Sequence, residues 1–398
     1  MERRRAVDTA LVIGGGIAGP VVAAALRRAG VEVTVYEAYA QAADGVGGML
    51  MVAPNGLDAF HAIGADGVAG LGQPIGTMVM EDFRGRKLFA FDGLPDLPAS
   101  RVMWRSDLYR VLQDRAVELG AEVEYGKRLV DVREHPDSIT AVFADGSTAT
   151  ADLLVGADGI RSAVRGLIDP TAPGPAPVGL LGLGGWGPAV PGTGGTDVMH
   201  FAQGKRAFFG YWATDDGTAW FSNLPHKGAM SAAEAAQVPT DEWLRRLRAA
   251  HEGDHPAELV LDSARDLQVI GALEVLPAVR HWYRGRMVLV GDSAHAPSPS
   301  SGQGVSITAE SAVQLAKCLR DLPDPATAFA AYERLRRPRT DKIIAAAART
   351  NSRKAAGPVA RAIGRAITPV LTRTVFTPKR IFGDVHAHTI DWEAPVAP

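Results

Sequence analysis

The chain has 398 residues, a formal net charge of −2 and 46% hydrophobic side chains. So even a balance excludes a general electrostatic pull toward nucleic acid. The single cysteine, Cys318, excludes an internal disulfide and a CxxC metal site, and no apolar run reaches the length of a membrane span. The length suggests two or three domains with ample core. The basic start MERRRAVDTA is not followed by the apolar core and cleavage site of a signal peptide, so a cytoplasmic protein is expected.

Ala10 to Glu37 reads ALVIGGGIAGPVVAAALRRAGVEVTVYE. A short apolar strand, Ala10 to Ile13, runs into Gly14-Gly15-Gly16. Gly19 follows three residues later, and an alanine-rich helix runs to about Arg28. Ala29-Gly30 closes it, and a second strand, Val31 to Tyr36, ends at Glu37. With 44 glycines in the chain the spacing alone has little force. Strand, helix, second strand and terminal acid together make it a dinucleotide-binding turn. Gly14 allows the tight turn, Gly16 lets backbone N–H groups approach a pyrophosphate, and Gly19 lets the helix pack on the strand. The helix N-terminus supplies partial positive charge for the phosphates. Glu37 is placed to accept hydrogen bonds from an adenosine ribose.

Gly45 to Leu50, followed by Pro54-Asn55-Gly56, fits either a connector or backbone passing close to a flat ligand. Leu57 to Ile63 reads as a short helix. Ile75 to Phe91 reads as a hairpin turning at Arg84-Gly85-Arg86. Ser106-Asp107 starts a helix whose apolar stripe is Leu108, Val111, Leu112 and Ala116, stopped at Gly120. Arg105 sits just before that N-cap, where a guanidinium either points into a site or lies on the surface. Ala121 to Tyr125, Leu129 to His135 and Ile139 to Phe143 read as three short strands with a turn at Asp145-Gly146. Leu153 to Gly159 is another apolar strand with a Gly/Asp end, and a helix starts at Ser162.

Gly179 to Phe221 carries Trp186, Phe201, Phe208, Phe209, Tyr211, Trp212, Trp220 and Phe221, a pattern of antiparallel sheet. Such aromatics pack a core or wall an apolar ligand pocket. Trp186, Phe201, Phe209, Tyr211 and Trp220 are taken as candidate substrate contacts. Thr240 to Ala250 is a helix with Arg245, Arg246 and Arg248 on its solvated side. Arg286 to Asp292 is a third strand ending in Gly-Asp, followed by Gly302-Gln303-Gly304 and a long helix from about Val305 to Leu319. Ser293 and His295 suggest a hydrolase pair, but the G-x-S-x-G elbow is absent, and His295 reads as a turn histidine. Cys318 reads as a buried thiol. Asp324 to Arg339 is a helix expected to end near Pro338.

From Ile343 to Gly383 the chain has no acid and carries Arg349, Arg353, Lys354, Arg361, Arg365, Arg373, Lys379 and Arg380. The favoured reading is a helix packed across the domains; the other is contact with a membrane surface. His386 and His388 read as surface loop, and no metal site is expected. There are no internal repeats.

Three separated segments now agree. GGGIAG with Glu37, then LLVGADGIRSAVR, then GRMVLVGDSAHAPSPSSGQG resemble the three fingerprints of single-component FAD-dependent monooxygenases. These are the aromatic hydroxylases that include salicylate, para-hydroxybenzoate and tetracycline hydroxylases. The match covers about the first 335 residues in order and spacing. It implies an α/β fold: a Rossmann-like FAD-binding domain of the para-hydroxybenzoate hydroxylase kind, an antiparallel-sheet substrate domain and a C-terminal helix. It divides the chain into an FAD-binding part in three pieces, 1–73, 101–178 and 274–335. The substrate part takes 74–100 and 179–273, and a helical segment 336–398. It implies a cofactor-binding set of Gly14, Gly16, Ile17, Ala18, Gly19, Glu37, Ala38, Gly48, Arg105, Leu129, Asp158, Gly159, Gly291, Asp292, Pro299, Gly302, Gln303, Gly304 and Val305. Within it, Arg105 contacts the flavin, Asp292 takes the ribitol, and Pro299 with Gly302 to Val305 lies against the isoalloxazine ring. Asp158-Gly159 belongs to a motif credited with both FAD and nicotinamide binding. Two departures blur the subfamily: Met49 stands where a second glycine is frequent, and Ser301 and Ser306 flank the third motif where Leu or Met, and Asn, are usual.

The resemblance implies NADH or NADPH as a transient co-substrate, O2, and hydroxylation of an aromatic or polyketide-like small molecule through a flavin hydroperoxide. No side chain need act as nucleophile. Epoxidation, Baeyer–Villiger insertion and flavin reductase chemistry share the fold, as does halogenation. The halogenase signature Trp-x-Trp-x-Ile-Pro is missing, since Trp186 is followed by Gly-Pro-Ala-Val-Pro. A flavin-bearing protein without turnover is the reading of a different class. A bacterial biosynthetic or antibiotic-tailoring role is suggested by the Ala/Arg/Gly-rich composition.

Overall fold

A computed structural model describes residues 7–42, 47–191, 194–264, 266–354 and 383–397. Its centre is a six-stranded sheet. In spatial order the strands are Tyr283–Arg284, Met287–Leu289, Leu153–Gly156, Thr9–Ile13, Glu32–Tyr36 and Glu122–Glu124. All but the first run parallel. The central strands are continuous apolar runs, as a sheet covered on both faces requires. Leu153, Leu154 and Val155 are fully buried, as is Val12. Each such side chain contributes about 1.5–3 kcal/mol of burial free energy. From Thr9–Ile13 the chain crosses to one neighbour through the helix Ala18–Arg28 and much later returns on the other side at Leu153–Gly156. Strand order therefore reverses at the end of Thr9–Ile13, the place where an open α/β sheet leaves a crevice.

The stretch Ala121 to Tyr125 does not join a meander with its successors. As Glu122–Glu124 it closes the parallel sheet beside Glu32–Tyr36. The antiparallel meander is made of Leu129–Glu134, Ile139–Phe143 and Thr148–Ala151. Spacing shows that a strand is present; it does not show which edge needs one.

A second sheet has seven strands, in the order Asp266–Val275, Ala176–Gly187, Gly217–Pro225, Phe208–Thr214, Val198–Gln203, Thr77–Asp82 and Lys87–Asp92. Every neighbouring pair is antiparallel except Val198–Gln203 with Thr77–Asp82. Its back face is covered by the helices Thr240–His251 and His255–Ser263, with Trp243, Leu247, Val260 and Leu261 buried against Leu183, Phe209 and Trp220. The front face is left for the cavity described below. A small sheet of Met49–Val52, Ser100–Trp104 and Gln73–Ile75 also bears on that cavity.

The helix after Met49–Val52 spans Pro54–His61, three residues earlier than its apolar stripe suggested, because Pro54 is pre-set for a first helical turn. A larger departure concerns Pro338. The helix from Pro325 does not stop there but runs to Lys354. An internal proline costs about 3 kcal/mol through its missing N–H and its clash with the turn before it. Side chains on both flanks hold the helix down. Arg336 lies 2.6 Å from Glu310, both almost wholly buried, and Arg339 lies 2.8 Å from the same carboxylate. Arg337 donates to the carbonyls of Val279 and Arg280 at 2.8 and 3.0 Å. Burial would raise the Glu310 carboxyl, but Arg336 and Arg339 overcome it and hold it at about 2.

Of the basic run, Arg361, Arg365, Arg373, Lys379 and Arg380 lie outside the described residues, so both readings of the segment beyond Lys354 lie there too. Cys318 is buried, and burial pushes its thiol up to about 11. Among the described residues no helix is long and apolar enough to cross a membrane, and no group of three or more His, Cys, Asp or Glu is placed to hold a metal.

Candidate active site

Three glycine–acid corners meet at one end of the parallel sheet. At the first, Gly14 takes φ +103° and its N–H donates to Tyr36 O at 2.9 Å. A Cβ on Gly14 would come within 2.6 Å of Ala157 O, so the first and second corners touch only because a side chain is missing. Glu37 stands at the end of Glu32–Tyr36 and faces the crevice. Its Oε2 accepts from Gly15 N–H at 2.7 Å and its Oε1 from Tyr39 N–H at 2.9 Å.

At the second corner, Asp158 Oδ2 accepts from the N–H groups of Ala163 and Val164, at 2.7 and 3.1 Å, in the first turn of Ala163–Ile168. Its buried Oδ1 has no hydrogen-bond partner among the described residues. Burial pushes this carboxyl up, against those hydrogen bonds. At the third corner, Asp292 sits in the 3-10 turn Gly291–Ser293 and opens onto the crevice. The carboxyl is exposed on the cavity wall, yet the protein surrounding the cavity reduces its solvation and pushes it up to about 6, and the Arg105 guanidinium opposes that rise.

The crevice is one continuous cavity of about 1260 Å³. Gly14, Gly16, Ile17, Ala18, Glu37, Ala38, Gly48, Arg105, Leu129, Asp158, Gly159, Asp292, Pro299, Gly302, Gln303, Gly304 and Val305 line it. Gly19 and Gly291 do not, a correction to the cofactor-binding set. Gly19 is pressed against the Gly14 carbonyl, where a Cβ would collide. Gly291 is wedged against Thr308, which a Cβ would meet at 2.9 Å. Both are packing glycines one layer behind the wall. Arg105 also differs from expectation: it is the first residue of the helix Arg105–Glu118, with Trp104 at the N-cap. Its side chain runs along Gly47 and Gly16.

The residues fit an anionic, flat dinucleotide such as FAD. Two helices, Ala18–Arg28 and Gly304–Asp321, start at the cavity with no side-chain cap and no acid in the first turn. Their free N–H groups and partial positive charge suit phosphate or a reduced ring. A Cβ at Gly48 or Gly304 would approach no protein atom closer than 3.5 Å, so glycine there leaves room in the cavity rather than room for packing, whereas Gly302 takes the left-handed φ of +61° that closes the turn Pro299–Ser301.

At its other end the cavity runs along the front of the seven-stranded sheet. Trp186, Phe201 and Trp220 line it. Phe209 and Tyr211 do not, which corrects two of the candidate substrate contacts. Successive side chains in a strand alternate faces. In Phe208–Thr214, Phe208 and Trp212 face the cavity while Phe209 and Tyr211 pack into the back cluster. The Tyr211 hydroxyl donates to Glu81 at 2.8 Å, and His200 stacks on its ring. Trp220 stacks on Phe209 and reaches the cavity beside Gly185, where a Cβ would come 2.8 Å from the indole.

Composition alone did not reveal Trp104, which stacks on Trp186 at 4.8 Å, nor the methionines Met49, Met51, Met78, Met80 and Met199 that line the same chamber. Methionine fills irregular apolar space and adapts to varied ligands. His386 is also not surface loop: it is buried, lines the cavity and meets Gln303 Nε2 at 3.2 Å. Burial pushes its imidazole down to about 4.

Comparison with known proteins places the chain in a family. The family profile described as "FAD binding domain" matches residues 7–347. The aurachin C monooxygenase/isomerase of Stigmatella aurantiaca is 30% identical over 85% of this chain and 87% of its own length. The FAD-dependent urate hydroxylase of Klebsiella pneumoniae is 30% identical over 84% and 87%. The chain belongs to the FAD-dependent monooxygenases. The crystal structure of Klebsiella pneumoniae HpxO with FAD and uric acid shares the fold, with TM-score 0.80 and 23% identity over 96% of this chain and 97% of that one.

In this flavin monooxygenase, Arg105→Ala is expected to fold normally but to bind FAD several-fold more weakly. The loss also removes the charge that opposes the rise at Asp292. Titration of apo-protein with FAD checks it, and wild-type affinity would remove Arg105 from the cofactor contacts. A different constellation, Ser222 Oγ 2.8 Å from His251 Nε2 with Asp254 beyond at 3.4 Å, has the order of a hydrolase triad. All three are buried behind the sheet and none lines the cavity, so no substrate reaches them. His295 is likewise buried, bonded to Ser311 at 2.9 Å.

Proposed function

We propose that the protein hydroxylates an aromatic or polyketide-like small molecule in the cytoplasm, taking electrons from NADH or NADPH and the oxygen atom from O2. The observation that carries this reading is the continuity of the cavity: dinucleotide corners at one end, an aromatic and methionine chamber at the other. When bound, FAD supplies the redox chemistry of electron transfer and oxygen activation.

The chain's own residues supply the rest. Gly14 to Ala18, Glu37 and Asp158 would hold the ADP half, and Asp292 and Arg105 the ribitol and flavin. The free N–H groups at the start of Gly304–Asp321 would stabilise negative charge on the ring system. Trp104, Trp186, Trp212 and the methionines exclude water from the chamber. The chain has one dinucleotide turn, so the nicotinamide would visit without a domain of its own. The same reading supports a division into FAD-binding pieces 1–73, 101–178 and 274–335, with substrate pieces 74–100 and 179–273.

The test is a screen of phenols and polyketides for faster NAD(P)H consumption by the FAD-loaded protein, with products read by mass. One added oxygen atom in a product supports the reading. NAD(P)H consumption that no compound accelerates would overturn it.

A further inference from the structure

Lys354 ends the helix Pro325–Lys354, and its side chain is buried at 8% exposure. Its Nζ donates to Asn223 Oδ1 at 3.0 Å and to Ser300 Oγ at 3.1 Å. It also lies 4.0 Å from the Phe208 ring centroid and 5.9 Å from that of Phe221. All five residues line the cavity. Lysine is among the side chains least often buried, and a methionine would satisfy the packing here at no desolvation cost. Burial pushes the Lys354 ammonium down to about 7. At neutral pH the amine therefore exists both as a cation and as a base with a lone pair.

Its place matters as much as its charge. Ser300 lies in the turn Pro299–Ser301, directly before Gly302–Val305. Asn223, Phe208 and Phe221 belong to the seven-stranded sheet. The amine thus stands where the turn expected against the flavin ring meets the aromatic chamber. The same cavity wall carries the apolar Met78, Met80, Phe201 and Trp212, with His386 and Arg161 as further ionisable side chains on it.

We propose that Lys354 receives the ring hydroxyl of a phenolic substrate, takes its proton and holds the resulting phenolate. The inference rests on the monooxygenase reading and names its substrate class. In the step, the substrate O–H bond breaks, an N–H bond forms on Nζ, and the electron pair stays on the ring oxygen. No oxidant or reductant is required. A phenolate pushes electron density to its ortho and para carbons, the positions an electrophilic oxygen then attacks. A base is needed for this because a phenol, unlike a carboxylic acid, is protonated at neutral pH.

The test uses the FAD-loaded full chain at neutral pH with 3-nitrophenol, which is mostly protonated in free solution there, and with 3-nitroanisole and 3-nitrobenzoate as probes, binding read by equilibrium dialysis and bound 3-nitrophenol by its phenolate absorbance against a holoprotein blank. The phenol is expected to bind about tenfold or more tightly than its methyl ether, and as the phenolate. Lys354→Met is expected to lose that factor for the phenol, leaving nitroanisole binding and FAD content unchanged. Lys354→Gln keeps a polar hydrogen-bonding end on a side chain one atom shorter, and should bind the phenol uncharged. Equal binding of phenol and ether, a preference for the benzoate, or an unaltered phenolate signal in either variant would overturn the proposal. Should Lys354→Met fail to fold, the wild-type comparison and Lys354→Gln decide. NAD(P)H consumption is measured separately, so phenolate capture without oxygenation would sink the enzymatic reading and leave the Lys354 site standing.

Discussion

Asp292→Ala is expected to purify as folded but nearly colourless protein that binds FAD roughly 10–100-fold less tightly. The carboxylate closes the third glycine–acid corner and opens onto the cavity beside Arg105. A charge-assisted hydrogen bond from a ribitol hydroxyl to such a group is worth about 1.5–3 kcal/mol, which converts to that range of affinity. The pH dependence has a definite sign. Reduced solvation raises this carboxyl from 3.8 to about 6 in the folded protein. The apo-protein therefore has the stability contribution of this group at low pH and loses it as the pH rises through about 6. FAD that prefers the ionised carboxylate acts in the opposite sense, so its affinity should fall below pH 6, to about a tenth by pH 5. Asp292→Asn should remove that pH dependence while keeping the shape. Fluorescence titration of apo-protein with FAD measures all of this, and full FAD occupancy in Asp292→Ala would reject the assignment.

Gly19→Ala is expected to damage both stability and flavin binding, although it adds one methyl group. The new Cβ would collide with the Gly14 carbonyl oxygen and stand 3.1 Å from the Gly14 carbonyl carbon. Gly14 cannot retreat easily: its φ of +103° and its hydrogen bond to Tyr36 O hold the turn. The helix Ala18–Arg28 must move off the sheet instead. Overpacking of this kind costs about 1–3 kcal/mol, and the displaced helix carries its free N–H groups away from the cavity. Gly16→Ala is the informative partner. Its Cβ would meet only the flexible end of Arg105, at 3.4 Å, and would project where a ligand belongs. It should keep the wild-type melting temperature and lose FAD affinity, whereas Gly19→Ala should lose both. A Gly19→Ala protein with wild-type melting and FAD binding would show that the helix does not rest on that carbonyl.

The contrast between those two glycines shows how far the chain could be read unaided. The three corners, GGGIAG with Glu37, GADG and GDS, are local devices: strand, tight turn and helix start occupy adjacent residues, so spacing alone exposes them. The helices Ala18–Arg28 and Gly304–Asp321 and the strand Thr9–Ile13 follow from the same local grammar. Cys318 and His295 read correctly as buried structural groups because their neighbours lie on an apolar helix and a turn.

Face and edge needed the folded molecule. Alternation in Phe208–Thr214 is visible, but which side meets ligand is set by the helices from Thr240 to Ser263, which claim Phe209 and Tyr211 for the back. Pro338 reads as a stop until Glu310, on the preceding helix Gly304–Asp321, is seen to pin Arg336 and Arg339 across it. His386 and Lys354 look like ordinary basic residues of a charged tail, and no spacing ties them to Gln303, Asn223 or Ser300. Local chemistry is written in consecutive residues, and it carried the flavin corners. The chamber that selects a substrate is assembled from side chains hundreds of residues apart, and only packing brings them together.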